Sequence, residues 1–336
     1  MPGNNKSPGP NGSRRLVAPE LLPMLELLPS FDFNEETLRA VRAGAAISPM
    51  KRPPLSAEQE AVACEQRFIA GPPGAPDVRV LVYTPPGKKP QTGRPGILHV
   101  HGGGYILGNP ELNDGSNRSI ATEQDCVIVS VDYRLAPETR FPGALEDCYA
   151  GLTWLHAQAG QLGVDSSRIA IAGESAGGGH AAALAILARD RGGPAARICF
   201  QLLDSAMLDD RTGSGSDPHP HCGEFVWTAA SNRFGWQSLL GVEPGTTAVP
   251  PGSVPARVED LSGLPPTFIT VGALDLFLEE NLEYARRLIR VGVPAELHVV
   301  PGAFHGFSMG GHSPQVQACL RLRRDALARA FQKASP

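Results

Sequence analysis

The chain has 336 residues, 42% hydrophobic and 19% charged, enough to fill a large core, which excludes a mainly disordered chain and a small disulfide scaffold. Its formal net charge of −4 lacks the basic footprint of a nucleic-acid binder. The 38 glycines and 32 prolines point to many turns, but no Gly-X-Y period runs through them, which excludes collagen.

Residues 1–15 are rich in Pro, Gly and Asn and are expected to be disordered. The apolar stretch 16–28 is broken by Pro19, Glu20, Pro23 and Glu26, so it fits neither a secretory signal nor a membrane span. A cytoplasmic protein without stable membrane association is expected. Residues 16–65 read as helical pieces. Asn34 before Glu35 and Glu36 marks a helix start, and Leu38, Val41 and Ala45 fall on one face. Pro49, Pro53 and Pro54 then break the pattern. Such short helices have no core of their own and are expected to cover something else. The cysteines at 64, 126, 148, 199, 222 and 319 form no C-x-x-C pair and read as reduced thiols.

From residue 66 the pattern changes. Strands are predicted at 78–83, 96–101, 126–132, 168–173, 198–203, 267–272 and 295–300. Helices are predicted at 144–159, 176–189, 279–291 and 314–333. Alternating strands and helices, with continuous apolar runs in the strands, argue for an α/β fold around a mostly parallel sheet flanked by helices. Residues 205–262 do not alternate. They hold a His/Pro run, then Phe225, Trp227, Phe234 and Trp236, then a Pro-rich run, and are too long for a plain loop. The expected organisation is a tail and N-terminal cap helices (1–65), a first catalytic part (66–204), a cap insertion (205–262) and a second catalytic part (263–336).

The run from Gly173 to Gly177 reads G-E-S-A-G and lies between a predicted strand and a predicted helix. G-x-S-x-G in that context is a nucleophile elbow. The serine needs tiny neighbours two residues away, and Ala176 offers its backbone N–H at a helix start, where a developing oxyanion is favoured. Ser175 is therefore the candidate nucleophile. Glu174 beside it reads either as an aid to the histidine or as part of a local salt bridge. His101-Gly102-Gly103-Gly104-Tyr105 ends an earlier strand, and three successive glycines leave backbone N–H groups open to an oxyanion.

A serine needs a base, and the base needs an orienting acid, in the chain order Ser, Asp, His. His305 follows the strand 295–300 and precedes the last helix, so it sits where catalytic residues collect. His312 has no strand directly before it, His156 and His180 lie on helices, and His298 is within a strand. Asp275 follows the strand 267–272. Asp204, after the strand 198–203, is its rival, and Asp275 is preferred. No carboxylate or Cys cluster completes a metal site around His99 and His101, or around His219 and His221, so neither a metal nor another cofactor is expected.

Together, HGGGY, SVDYRLAPE (130–138), GESAGG, MLDDRTGS (207–214), GALDLF and FHGF, in this order, resemble the bacterial hormone-sensitive-lipase-like (family IV) esterases of the α/β-hydrolase fold. The resemblance implies Ser175, Asp275 and His305 as triad, with oxyanion donors from the backbone of Gly103, Gly104 and Ala176. It implies a helical cap, and a supporting role for His101 and residues 132–138. Asp204-Ser205-Ala206 departs from the family, which commonly carries Tyr-Pro here. The implied activity is a serine carboxylesterase acting on small short-chain acyl esters through an acyl-enzyme. An amidase or lactonase with the same triad is the alternative. A non-catalytic small-molecule receptor, a role in which some relatives have lost the histidine, is disfavoured by His305. The strand 295–300 reads as an apolar sheet edge, which invites pairing, and the resemblance implies homodimers formed there.

Overall fold

All seven strands predicted from the apolar runs lie in one sheet, joined by an eighth. The strands are β1 (Ala63–Ile69), β2 (Val78–Thr84), β3 (Arg94–Val100), β4 (Val127–Asp132), β5 (Val164–Glu174), β6 (Phe200–Asp204), β7 (Thr267–Gly272) and β8 (Ala295–Val300). The structure is a computed structural model that describes residues 12–28, 32–44, 54–215, 218–309 and 313–332. Of residues 1–15, expected to be disordered, Ser13–Arg15 instead enter a 3-10 turn, Ser13–Leu16; residues 1–11, with Ala45, Pro49, Pro53 and His312, lie outside the described residues.

The sheet runs in the order β1-β2-β4-β3-β5-β6-β7-β8. The β1–β2 and β2–β4 pairs are antiparallel, and every later neighbour is parallel. The helices are α1 (Leu22–Leu27), α2 (Glu35–Arg42), α3 (Ala57–Glu60), α4 (Asp114–Gln124), α5 (Gly143–Ala157), α6 (Ala159–Leu162), α7 (Ala176–Arg191), α8 (Ala229–Leu240), α9 (Leu278–Arg290) and α10 (Pro314–Gln332).

Successive residues of a strand face opposite sides of a sheet. Here both sides are covered, which is why the strands read as unbroken apolar runs. Leu98, Val129, Ile171, Leu203 and Ile269 face α5, α7 and α9, where they meet Leu145, Leu152, Leu184, Tyr284 and Leu288. Their neighbours Ile97, Ile128, Ala170, Leu202 and Phe268 face α4 and α10, where they meet Ala121, Ala326, Leu327 and Phe331.

Two elements differ from expectation. β1 takes residues 63–65, which read as helical, and continues to Ile69. As the outer strand it is mostly exposed, so polar residues stand on both its faces and hide the period of two. α4 was not anticipated, because only Asn117 and Ala121 of its eleven residues are buried and its apolar stripe is weak. α2 starts as predicted: Asn34 accepts from the amides of Glu36 and Thr37, and Thr37 accepts from the Asn34 amide. All six cysteines are free thiols; Cys126, Cys148 and Cys319 are buried. Among the described residues no helix is long and apolar enough to cross a membrane.

Candidate active site

The carboxyl ends of β3, β5, β7 and β8 converge on one region, and each carries one piece of it. β5 ends in the elbow. Ser175 has φ 55° and ψ −123°, a left-handed conformation that costs a serine energy and holds its side chain clear of the sheet. The flanking glycines are required by space. A Cβ on Gly173 would stand 2.3 Å from the Gly177 carbonyl, and one on Gly177 would stand 2.1 Å from the Val100 carbonyl.

His305 is carried on the loop after β8, and Asp275 on the turn after β7. Ser175 Oγ lies 2.9 Å from His305 Nε2. His305 Nδ1 lies 3.0 and 3.1 Å from the two oxygens of Asp275. A carboxylate only accepts, so Nδ1 carries the proton and Nε2 is free to accept from the serine. Asp275 is fully buried, and it also accepts the Phe277 amide at 3.0 Å. The Phe277 ring stands perpendicular to the imidazole at 5.0 Å and fixes its plane.

The glycine loop turns beside the elbow. Gly103 (φ 128°) accepts the amides of Ile106 and Leu107. Among the described backbone hydrogen bonds, the amides of Gly103, Gly104 and Ala176 meet no internal acceptor. His101 braces this loop. Its Nδ1 donates to the Gly102 carbonyl at 2.8 Å, its ring stacks on Tyr133 at 4.2 Å, and the Tyr133 hydroxyl donates to the His101 carbonyl at 2.8 Å. The Ala136 amide reaches the Tyr105 carbonyl at 3.0 Å, so the 132–138 segment holds the loop's far end. Burial pushes the imidazoles of His101 and His180 down, to about 4 and about 3, and both stay neutral near pH 7.

The remaining candidates are elsewhere. Asp204 does not reach His305; its carboxylate accepts from Thr270 at 2.8 Å and from Arg323 at 3.0 Å. Glu174 turns away from the histidine toward His99 at 3.0 Å, with Arg323 at 3.6 Å, so it belongs to a local salt bridge. Among the described residues no group of three or more His, Cys, Asp or Glu is arranged to hold a metal ion.

Two arginines escaped the reading of the sequence. Arg42 of α2 donates to the carbonyls of Ile106 and Ala136 and pairs with Glu138 at 2.7 Å. Arg323 is buried on α10. Its signal was a charge on the apolar face formed by Val316, Cys319, Ala326 and Leu327.

A serine on a strand-to-helix elbow, with acid and histidine following on later strand ends of a mostly parallel sheet, is the arrangement of the α/β hydrolases. A family model described as an alpha/beta hydrolase fold matches residues 97–309. Esterase LipI of Mycobacterium tuberculosis is 35% identical over 295 residues, covering 87% of this chain and 88% of that protein. Carboxylesterase NlhH of the same species is 35% identical over 298 residues, covering 87% and 90%. Among solved structures, a bacterial heroin esterase superposes with a TM-score of 0.85 at 34% identity, covering 94% of this chain and 98% of that one. The chain belongs to the α/β-hydrolase family, among its bacterial hormone-sensitive-lipase-like (family IV) esterases.

Proposed function

We propose that this chain is a serine carboxylesterase that cleaves short-chain acyl esters through an acyl-enzyme intermediate. The continuous line from Ser175 Oγ through His305 to Asp275, with contacts of 2.9 and 3.0 Å, carries the reading. Ser175 attacks the ester carbonyl as His305 takes its proton. Asp275 stabilises the imidazolium. The amides of Gly103, Gly104 and Ala176 receive the oxyanion, and His305 then returns the proton to the leaving alcohol. Water repeats the path and releases the acid. Labelling of the intact protein by a serine-directed fluorophosphonate, mapped to Ser175, tests the nucleophile directly; an unlabelled Ser175 in protein that turns over esters would overturn it.

We read the N-terminal segment and residues 205–262 as one cap over this site. The Phe33 amide donates to Ser231 Oγ at 3.0 Å, Thr228 Oγ1 donates to Asp32 at 2.5 Å, and Phe33 packs on Trp227 at 5.7 Å. Val17, Leu21 and Met24 pack with Phe304 and Phe307, either side of His305. Trp227 borders the oxyanion loop so closely that a Cβ on Gly104 would stand 2.1 Å from its ring. We read this ring, packed against the donor loop, as the element that limits the acyl chain. Each methylene that fits gains about 0.8 kcal/mol of burial until the space ends, and longer chains must displace the cap. In a nitrophenyl ester series from acetate to palmitate, kcat/KM is expected to peak at about two to six carbons. A peak at ten or more, or activation at an oil–water interface, would show that the ring does not set the limit.

These steps use no metal, so EDTA is expected to leave turnover unchanged; a loss restored by zinc would refute this. Activity is expected to fall on acidification, because a protonated His305 accepts no proton from Ser175. Stability should also fall on acidification. In the unfolded chain His101 and His180 protonate near pH 6.5, whereas the fold holds them neutral down to about 4 and about 3. The unfolded state therefore binds more protons below about pH 6.5, and the stabilisation these residues lend at neutral pH is lost progressively down to about pH 3. A Tm series should decline across that window, and less steeply in His180→Phe. An equal decline in both proteins would show that His180 plays no part in it.

A further inference from the structure

Two acids next to the elbow, Asp204 buried and Glu174 half-buried, take no part in the mechanism. Glu174 precedes the nucleophile on β5, and Asp204 is its paired neighbour on β6. Both lie on the sheet face covered by α4 and α10, two residues beyond Ala172 and Leu202, which pack there. Ser130 and His99 on β4 and β3, and Thr270 on β7, stand on the same face. They form one polar row across five strands. His99 Nδ1 is 2.8 Å from Ser130 Oγ, and His99 Nε2 is 3.0 Å from Glu174. Thr270 Oγ1 donates to Asp204 at 2.8 Å.

The gap between the two carboxylates is closed from outside the sheet. Arg323 of α10, 6% exposed, donates to Asp204 Oδ2 at 3.0 Å and stands 3.6 Å from Glu174 Oε1. Both acids are also tied to the nucleophile through the backbone. Glu174 is bonded to it covalently, and the Asp204 carbonyl accepts the Ser175 amide at 2.9 Å. The Ser175 carbonyl in turn accepts the Met207 amide at 3.0 Å. The strained turn is thus held on both sides by residues whose side chains meet at one guanidinium.

Resting on the reading of Ser175 as nucleophile, we propose that Arg323 is a positioning residue: by bridging Glu174 and Asp204 it sets the elbow on the sheet and thereby the reach of Ser175 Oγ to His305. Without the guanidinium, two carboxylates stand side by side on adjacent strand ends. Their repulsion parts β5 from β6 where the serine stands. Lysine keeps the charge, but it is a compact point donor on a different stem and cannot serve both acids with a planar fork. Asp204→Asn keeps the shape and weakens one arm of the bridge.

The test is the inactivation rate of the folded protein by a fluorophosphonate, separated into its limiting rate kinact and its apparent binding constant KI. For Arg323→Met, kinact is expected to fall on the order of 10²-fold, the effect of misplacing a reacting group by about 1 Å, with KI little changed. Arg323→Lys should regain part of the loss, and Asp204→Asn should lose about tenfold. Should Arg323→Met fail to fold, the other two carry the test by the same split. If kinact stays within about twofold of wild type in the folded variants while only Tm falls, Arg323 merely anchors α10 and the proposal is overturned. A rise in KI at constant kinact overturns it as well. Wild type that turns over esters but does not label at Ser175 overturns the nucleophile assignment itself, and this proposal with it; labelled wild type with unchanged variants overturns the positioning role alone.

Discussion

Ser175→Ala is expected to leave a folded protein whose ester turnover has dropped by about 10⁴-fold or more, as for removal of a triad member. The fold should survive because the contacts that shape the elbow are made by backbone and glycines. The Ser175 amide and carbonyl bonds to Asp204 and Met207 remain, and alanine needs no more room than serine. What disappears is the oxygen 2.9 Å from His305. The open amides of Gly103, Gly104 and Ala176 persist, so a small residual rate over water should remain. The measurement is hydrolysis by purified variant whose Tm matches wild type. Turnover within about tenfold of wild type would remove Ser175 from the nucleophile role.

Asp275→Asn is expected to cost on the order of 10⁴-fold in kcat, and much more than Asp204→Asn. An asparagine in place of Asp275 can present its amide to His305 Nδ1. That favours the tautomer with the proton on Nε2, which cannot accept from Ser175. Phe277 would still fix the ring plane, so the loss is one of protonation more than of placement. Asp204 cannot substitute. Its two oxygens are already committed to Thr270 and Arg323, and it faces the helix layer below the sheet end. Parallel kcat measurements on both variants decide the matter: if Asp204→Asn is the inactive one, the acid has been misassigned.

The strands were legible wherever both faces are buried. The runs at 97–100 and 127–131 are apolar at every position but one each, because helices pack on both sides of them. A run that short and that apolar, bounded by turn residues, fits a doubly covered strand better than a helix. β1 was not legible, since an outer strand with one partner carries polar residues on both faces. α4 was hidden for a related reason: Asn117 and Ala121 suffice to seat it, and two positions do not make a period.

The site divides in the same way. Local patterns pointed to Ser175, Gly103, Gly104 and His305 as candidates. A nucleophile elbow needs small residues at fixed offsets, and a donor loop needs residues without a Cβ. Both demands are written in neighbouring positions of the chain. The partners across the sheet are set by register and helix docking, which no local pattern records. Asp204 and Asp275 both stand at strand ends, and the sequence preferred Asp275 without excluding Asp204. Only the assembled sheet brings Asp275 to His305 across 30 residues and leaves Asp204 to Arg323 across 119. Glu174 likewise had two readings until α10 delivered a guanidinium beneath it. Sequence thus marked the candidate groups, because an elbow depends on a few adjacent backbone angles. Tertiary structure decided which acid lies against the histidine and which is held by an arginine, because those choices depend on distances between segments far apart in the chain.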